Sequence, residues 1–434
     1  MRIVSRITPS LVEWVGKLFI DNCELEENES MNSGDTAFML VATAMVMLMT
    51  PGLALFYGGL VRSKNVLSTT MQSFFCLGII SIIWVAYGYS MAFGPDIGGF
   101  VGNFKYVGLK GVGLGIGPYS NTIPDLLFCA FQLMFAIITP ALITGAYAER
   151  MKFTAFVLFT ILWSTFVYFP VCHWVWGGGW LGEMGALDFA GGTVIHINSG
   201  AAALVACIVL GKRKGWGREA MHPHNLPMTI LGAGVLWFGW FGFNAGSALS
   251  AGPIAVLALF TTQVATGAGA LSWVLAEWKV QGKPTTLGAA SGAVAGLVAI
   301  TPGAGFVGPL PAILIGLVGG ALCYFAVLMK ARLGYDDALD VVGVHGVGGL
   351  WGALATGLFA SLAWNSDGAN GLFYGNAGQL GIQAVGAGAA IAYSVVLTYI
   401  ILKVIDAVIG LRADLEDEVQ GLDVTDHKEV GYSL

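Results

Sequence analysis

Apolar runs of similar length, separated by short polar loops, occupy the chain from residue 37 to residue 405. A helix needs about 20 apolar residues to cross the hydrocarbon core of a bilayer. Runs near this length cover residues 37–61, 67–93, 123–147, 153–175, 190–210, 226–245, 253–276, 285–301, 311–330, 341–362 and 380–405. The pattern therefore predicts an all-α polytopic membrane protein with eleven transmembrane helices.

Composition supports this prediction and excludes several other classes. The chain is 56% hydrophobic and only 11% charged, which is unlike a soluble domain. Its 63 glycines suit helices that pack closely in lipid. The acidic residues gather at the two ends, so nothing indicates a nucleic-acid partner. The cysteines lack metal-ligand spacing, and we expect no disulfide, metal site or cofactor.

Basic residues concentrate in alternate loops. The loops on one side contain only two basic residues, Lys105 and Lys110. The richer set holds Arg62, Lys64, Arg150, Lys152, Lys212, Arg213, Lys214, Arg218, Lys279, Lys283, Lys330, Arg332 and Lys403. Because basic loops stay on the cytoplasmic side, we predict a multi-pass protein of the cell membrane, inner or plasma, with its N-terminus outside and its C-terminus inside.

Polar segments flank the predicted membrane domain, which covers residues 31–411. Residues 1–30 lack the long apolar core and cleavage site of a signal peptide, and Met31 follows them. We interpret them as an N-terminal extension or a mis-set start. Residues 412–434 are too polar to enter the bilayer and are predicted to form a cytoplasmic regulatory tail.

Two of the predicted spans resemble each other. The segments "DFAGGTVIHINSGAAALVA" and "DVVGVHGVGGLWGALATG" each contain an acidic residue, then a histidine, His196 or His345, and a glycine four positions later. We take Asp340 as the counterpart of Asp188. Because five spans separate the two copies, they cross the bilayer in opposite directions. This predicts a 5+5 inverted repeat, about residues 37–210 and 226–362, flanked by an eleventh helix.

The two intramembrane histidines are the strongest functional candidates. An ionisable group at membrane depth is expensive and is a functional hypothesis by default. The alternative is a neutral imidazole hydrogen-bonded in a packed core, and two rings at matched repeat positions weaken that alternative. A metal site would need a third ligand. No nucleophile or carboxylate pair accompanies the rings, so we do not expect an enzyme.

Eight motifs in order resemble the ammonium transporter (Amt/Mep) family from about residue 31 to the C-terminus. They are "PGLALFYGGLVRSKNVLS", "AERMKF", "VWGGGWL", "GALDFAGGTVIHIN", "PHNLPM", "GWFGFNAGS", "DDALDVVGVHGVGG" and "GLRADLEDEVQGLDV". The resemblance is closest to prokaryotic members. It implies a homotrimer with one substrate pathway through each subunit.

The resemblance also implies an external ammonium site. Trp176 matches its aromatic residue, Ser247 matches its hydroxyl partner, and Phe131 is expected to add to it. An indole face attracts a cation, and a hydroxyl accepts an N–H. Trp176 could instead be one of the tryptophans that are common at membrane interfaces. Asp188 matches an acidic residue that supports the site from behind, and we expect it to serve as a helix cap as well.

Below that site the resemblance implies a gate and a pore. Phe135 and Phe243 match two stacked rings that close the pathway. The matching apolar lining positions are Leu53, Leu142 and Val341. Taking an ion of ammonium's size out of water costs on the order of 20 kcal/mol in the Born limit. We therefore expect deprotonation outside and passage of ammonia between the two histidines, while the proton either crosses separately or returns.

The tail resembles the cytoplasmic C-terminal region of the family. Gly421, Leu422 and Asp423 are candidates for coupling subunits, and a PII protein of the GlnK type is expected on the cytoplasmic face. Two alternatives remain, a passive ammonia channel of the Rh type and an ammonium sensor or transceptor. Trp176 and "GWFGFNAGS" favour the ammonium-recruiting branch, and the short tail after Arg412 argues against a built-in signalling domain.

Overall fold

The computed structural model describes residues 31–433, and the predicted N-terminal extension lies outside them. Eleven helical segments carry the chain through the bundle. They are α1 Ser33–Leu60, α2 Ser63–Phe93, α3 Asp125–Tyr147, α4 Phe153–Glu183, α5 Gly192–Leu210, α6 Leu226–Gly246, α7 Pro253–Gln281, α8 Thr286–Ile300, α9 Pro309–Leu333, α10 Val342–Phe359 and α11 Ala377–Ile409. They correspond one by one to the eleven predicted spans.

Ten of these helices are long and apolar enough to cross a membrane, and α8 is a shorter apolar helix. The outer surface of the bundle is apolar, as lipid contact requires. Ile82 and Val408 are each more than half exposed there. A hairpin of β1 Asp96–Ile97 and β2 Val101–Gly102 lies between α2 and α3. Two short helices, α12 Leu415–Gln420 and α13 Leu422–His427, form the tail.

The two predicted repeats pack in the same way. Helix α1 packs on α2 and α3, as α6 packs on α7 and α8, and α1 also packs along α6. Both histidine-bearing helices, α5 and α10, begin with a π-helical segment, Gly192–Ile197 and Val342–Val347. Helix α11 packs against both α5 and α10, which is the flanking position expected for an eleventh span.

The glycines that follow the histidines allow α5 and α10 to cross closely. A side chain on Gly200 would overlap the backbone of Gly346, and one on Gly349 would press on the Cβ atom of His196. Close backbone approach is the usual role of small residues between membrane helices. The repeated spacing from histidine to glycine therefore serves to bring the two imidazoles together.

The predicted acidic counterpart of Asp188 was wrong. Asp337, not Asp340, precedes its histidine by eight residues, as Asp188 does. The Asp337 carboxylate accepts the Val342 backbone N–H at 2.7 Å, at the start of α10. Asp340 instead forms an ion pair with Lys330. The prediction chose the aspartate that lies closer to His345 along the chain. A capping residue can, however, lie several residues before the helix that it caps.

Candidate functional site

The end of the bundle that the basic loops predict to be external holds a cavity of about 280 Å³, which we call the external cavity. It is lined by Phe93, Tyr119, Phe128, Gln132, Phe135, Val175, Trp176, Phe189, Ser247 and Leu249. The Trp176 indole N–H donates to the backbone carbonyl of Asp188 at 2.8 Å, which fixes the ring. The Ser247 hydroxyl donates to the Phe243 carbonyl at 2.9 Å, so its oxygen lone pairs stay available to accept a hydrogen bond.

Asp188 supports this site through hydrogen bonds with the backbone at the start of α5. One carboxylate oxygen accepts the N–H groups of Gly191 and Gly192 at 2.9 and 2.6 Å. The other accepts those of Thr193 and Val194 at 2.8 and 3.1 Å. Burial raises the pKa of this carboxyl, and the four backbone bonds oppose that rise. Asp188 thus caps α5 and also supports Trp176 through its own carbonyl.

A pair of phenylalanine rings closes the floor of the cavity. The centroids of Phe135 and Phe243 are 4.4 Å apart, with the ring planes at 33°. Trp176 meets Phe135 edge-on at 5.9 Å. Phe131 is fully buried beside Phe135, at 4.9 Å between centroids, and is not among the residues that line the cavity. The Phe135–Phe243 pair lies between this cavity and the space below, since Phe135 lines the former and Phe243 lines the latter.

The two histidines meet directly beneath these rings. Their Nδ1 atoms are 3.2 Å apart, and the ring centroids are 5.2 Å apart at an interplanar angle of 22°. A hydrogen bond between two Nδ1 atoms needs one donor and one acceptor, so one proton lies between the rings. The Nε2 atom of His196 is buried and has no partner among the described residues. This leaves a ring nitrogen free to bond a small polar molecule.

The space around the histidines is narrow and apolar. It has room for little more than a water-sized molecule. Its lining consists of Met49, Leu53, Phe56, Tyr57, Ile138, Leu142, Ile195, His196, Leu236, Trp240, Phe243, Val294 and His345. Leu53 and Leu142, the lining positions that the family resemblance implies, are among these residues. Val341 is not among the residues that line this space, and its side chain lies against Gly145.

The sequence reasoning missed Trp240. Its ring stacks on His196 at 5.5 Å and 19°, and its indole N–H donates to the Thr301 hydroxyl at 2.9 Å. The ring therefore holds one face of the imidazole in place. Trp240 lies three residues before Phe243, on the same face of α6, and this spacing was the signal available.

A network of ion pairs surrounds the opposite end of the bundle, which is predicted to be cytoplasmic. Glu149 is buried between Arg62, at 2.8 Å, and Arg213, at 3.1 Å. Arg213 also pairs with Asp336 at 2.9 Å. Burial would raise the pKa of Glu149, but the two guanidinium groups lower it below its usual value. The network borders a second cavity, of about 340 Å³, which Arg213 and Lys330 line.

The three predicted tail residues dock on the second helix of their own chain. The Leu422 N–H donates to the Asn65 side chain at 2.8 Å, and the Asp423 carboxylate accepts the Ser68 N–H at 2.8 Å. Gly421 has a φ of +112° and lies so close to Lys64 that a side chain would not fit. Coupling between subunits through these residues stays a prediction. Within residues 31–433, no three His, Cys, Asp or Glu side chains are grouped to hold a metal ion.

Comparison with known proteins gives a consistent result. A model described as the Ammonium Transporter Family matches residues 37–432. The ammonium transporter of Bacillus subtilis is 55% identical over 403 residues, covering 93% of this chain and 99% of the relative. That of Aquifex aeolicus is 54% identical over 408 residues, covering 93% and 94%. The crystal structure of Saccharomyces cerevisiae Mep2 is similar, with a TM-score of 0.84, 38% identity and coverage of 90% and 89%.

Proposed function

Because this chain belongs to the ammonium transporter family, we propose that it recruits ammonium at the external cavity, removes a proton, and conducts ammonia past His196 and His345. The observation that carries this mechanism is the imidazole pair, whose Nδ1 atoms are 3.2 Å apart in a narrow apolar space. That space suits neutral ammonia, whereas a hydrated cation would lose its water there.

Recruitment depends on the groups that face the external cavity. The Trp176 indole offers a π face to a cation, and the Ser247 oxygen offers an acceptor for one N–H. Phe131 contributes as the ring that backs Phe135, and Asp188 contributes by holding Trp176. Phe135 and Phe243 then act as the gate, opening for one small molecule at a time.

Conduction depends on hydrogen bonds in the apolar space. Ammonia can donate to or accept from the free Nε2 atom of His196, while the shared Nδ1 proton keeps the two rings together. Leu53 and Leu142 exclude ions along the wall. Val341 contributes to the wall of the pathway from its position beside Gly145.

The experiment is uptake into proteoliposomes by His196→Ala and His345→Ala variants, with the exposed His222 changed to alanine as control. We expect both variants to fold and to lose or alter ammonium conduction, or to admit potassium, while the control behaves as the parent chain. Unchanged transport and selectivity in both variants would refute the role of the pair.

Two alternatives concern the fate of the proton and the use of the site. A passive channel of the Rh type would carry ammonia without current, whereas a separate proton relay would make uptake electrogenic, worth about 2.3 kcal/mol per 100 mV. Current recorded on adding ammonium to proteoliposomes separates these two. A sensor or transceptor role would appear as a signalling response that persists when conduction is abolished.

We further propose a homotrimer with its N-terminus outside and its tail in the cytoplasm. An outer groove along α1 and α6, which Leu231 and Phe238 line, supplies an apolar surface suited to another copy. The basic loops support the orientation. A PII protein of the GlnK type would bind over the cytoplasmic cavity and the docked tail. Native mass spectrometry tests the trimer, and a pull-down with a purified PII protein tests the partner.

A further inference from the structure

One wall of the external cavity is formed by a leucine in an unusual backbone conformation. Leu249 lines this cavity together with Trp176 and Ser247. Its φ angle is +55°, in the left-handed region that favours glycine. Its side chain is half-buried and packs against the main hydrophobic core. The chain therefore carries a large side chain at a position where glycine would relieve the backbone.

The conformation of Leu249 comes from the turn that ends α6. The helix ends at Gly246, and the Leu249 backbone N–H donates to the Gly246 carbonyl at 2.9 Å. A left-handed residue just after the last turn is a common way to end a helix, and this residue is usually glycine. The turn accounts for the φ angle but gives no reason for the leucine side chain, because glycine would form the same turn without strain.

Contacts on both sides fix the position of this turn. A side chain on Gly246 would overlap the Phe131 ring, so the end of α6 lies tightly against α3. After the turn, the Ala251 backbone N–H donates to the Asp35 carboxylate at 2.8 Å, at the start of α1. These contacts hold Leu249 at the wall of the external cavity.

The external cavity offers few hydrogen-bond acceptors to an ammonium ion. The Ser247 oxygen is one of them. The Gln132 side-chain oxygen is a second, because this residue lines the cavity and its buried oxygen has no partner among the described residues. Most of the other lining side chains are aromatic or aliphatic. Alkyl groups on the nitrogen of a substrate must therefore find room among apolar side chains.

The total space in the cavity does not limit the size of the substrate. A water-sized molecule needs only about 10–15 Å³ of such space, whereas the cavity has about 280 Å³. The limit must come from the side chains that lie near the acceptors. Leu249 follows Ser247 by two residues, in the same turn, and both residues line the cavity.

We propose that Leu249 sets the size of the ammonium ion that the external cavity admits. Ammonium and methylammonium fit beside its side chain. Trimethylammonium does not, because the isobutyl group occupies the room that the additional methyl groups need. Alanine lacks as many of the carbon atoms of leucine as trimethylammonium has methyl groups. This inference rests on the proposed function for its substrate, and it concerns selection by size.

Competition for uptake into proteoliposomes measures this selection. The tracer is labelled methylammonium at pH 7, and the competitors are ammonium and trimethylammonium. For each protein, the half-inhibitory concentration of trimethylammonium is divided by that of ammonium, so differences in transport rate cancel. We expect Leu249→Ala to lower this ratio about tenfold, because the methyl groups gain apolar contacts in the space that the leucine filled.

Leu109→Ala is the matched control. Leu109 is also half-buried and has a φ angle of +58°, but it is not among the residues that line the external cavity. Its truncation should leave the ratio at the value of the parent chain. Leu249→Met should do so as well, because this exchange nearly conserves side-chain volume. Leu249→Gly repeats the test if Leu249→Ala does not fold, since glycine adopts a positive φ freely.

An unchanged ratio in the folded Leu249→Ala or Leu249→Gly variant would overturn the proposal, and so would an equal change in Leu109→Ala. Competition by trimethylammonium as strong as that by ammonium in the parent chain would also overturn it. Absence of methylammonium uptake by the parent chain would instead refute the proposed function. Saturation-transfer NMR of trimethylammonium with the purified proteins would then test the size limit. The methyl signal should be stronger with Leu249→Ala than with the parent chain, and equal signals would overturn the proposal.

Discussion

Replacing Asp188 by asparagine tests whether one carboxylate organises the external site. The carboxylate accepts four backbone N–H groups, two on each oxygen. Asparagine keeps one such oxygen and places an amide nitrogen at the position of the other. Two of the four hydrogen bonds are therefore lost, and the new amide NH₂ group faces two backbone N–H donors at close range.

The magnitude follows from these contacts. A hydrogen bond to a charged group contributes about 1.5–3 kcal/mol, so losing two costs roughly 3–6 kcal/mol before relaxation. Relaxation of the segment that precedes α5 would release part of this cost. The same movement displaces the Asp188 carbonyl, which receives the Trp176 indole N–H. We therefore expect both lower stability and weaker ammonium recruitment.

The assay pairs thermal unfolding in detergent with methylammonium uptake over a range of substrate concentrations. We expect a lower Tm and a raised KM for Asp188→Asn. Asp367→Asn is the control, because that carboxylate is exposed and surface changes of this kind stay within about 0.5 kcal/mol. A variant with the Tm and KM of the parent chain would show that the four backbone bonds do not organise the site.

Three other predictions follow from single contacts. Phe243→Ala removes one of the two stacked rings, so osmotic water permeability of proteoliposomes should rise, and an unchanged permeability would contradict the gate. Asp423→Ala removes a cap from α2, and this loss should cost about 0.5–2 kcal/mol of stability. Proteolysis of the tail should then be faster than in the parent chain. Equal cleavage rates in the two proteins would contradict the docking of the tail. Burial raises the pKa of Asp337 from 3.8 to about 6, so its contribution to stability is full below about pH 4 and is lost as the pH rises through about 6. Unfolding measured from pH 4 to 7 should show this loss in the parent chain and not in Asp337→Asn.

Features with a strict helical period were predictable from the sequence. The positions of the eleven spans follow from run length alone, since an apolar segment of about 20 residues has few other stable states in lipid. The pairing of His196 with His345 was also predictable, because the repeat places both rings on crossing helices. Phe135 and Phe243 were assigned by family resemblance, and they lie stacked at 4.4 Å.

Features that depend on contacts between helices were not predictable. Phe131 and Val341 are apolar residues at suitable depth, yet neither is among the residues that line the cavities. Asp340 has the expected residue type but pairs with Lys330, and Asp337 takes the capping role. A helical period fixes which residues share a face, but it does not say which neighbour that face meets.

The sequence by itself therefore determined the membrane class, the span count, the inverted repeat and the two histidines, because each rests on periodicity and on the cost of polar groups in lipid. Only the tertiary structure decided that Trp240 stacks on His196 and that the Asp188 backbone carbonyl accepts the Trp176 indole N–H. It also decided that Leu249 lines the same cavity as Trp176. These contacts join residues far apart in the chain, and their geometry is set by the close packing of small residues between helices.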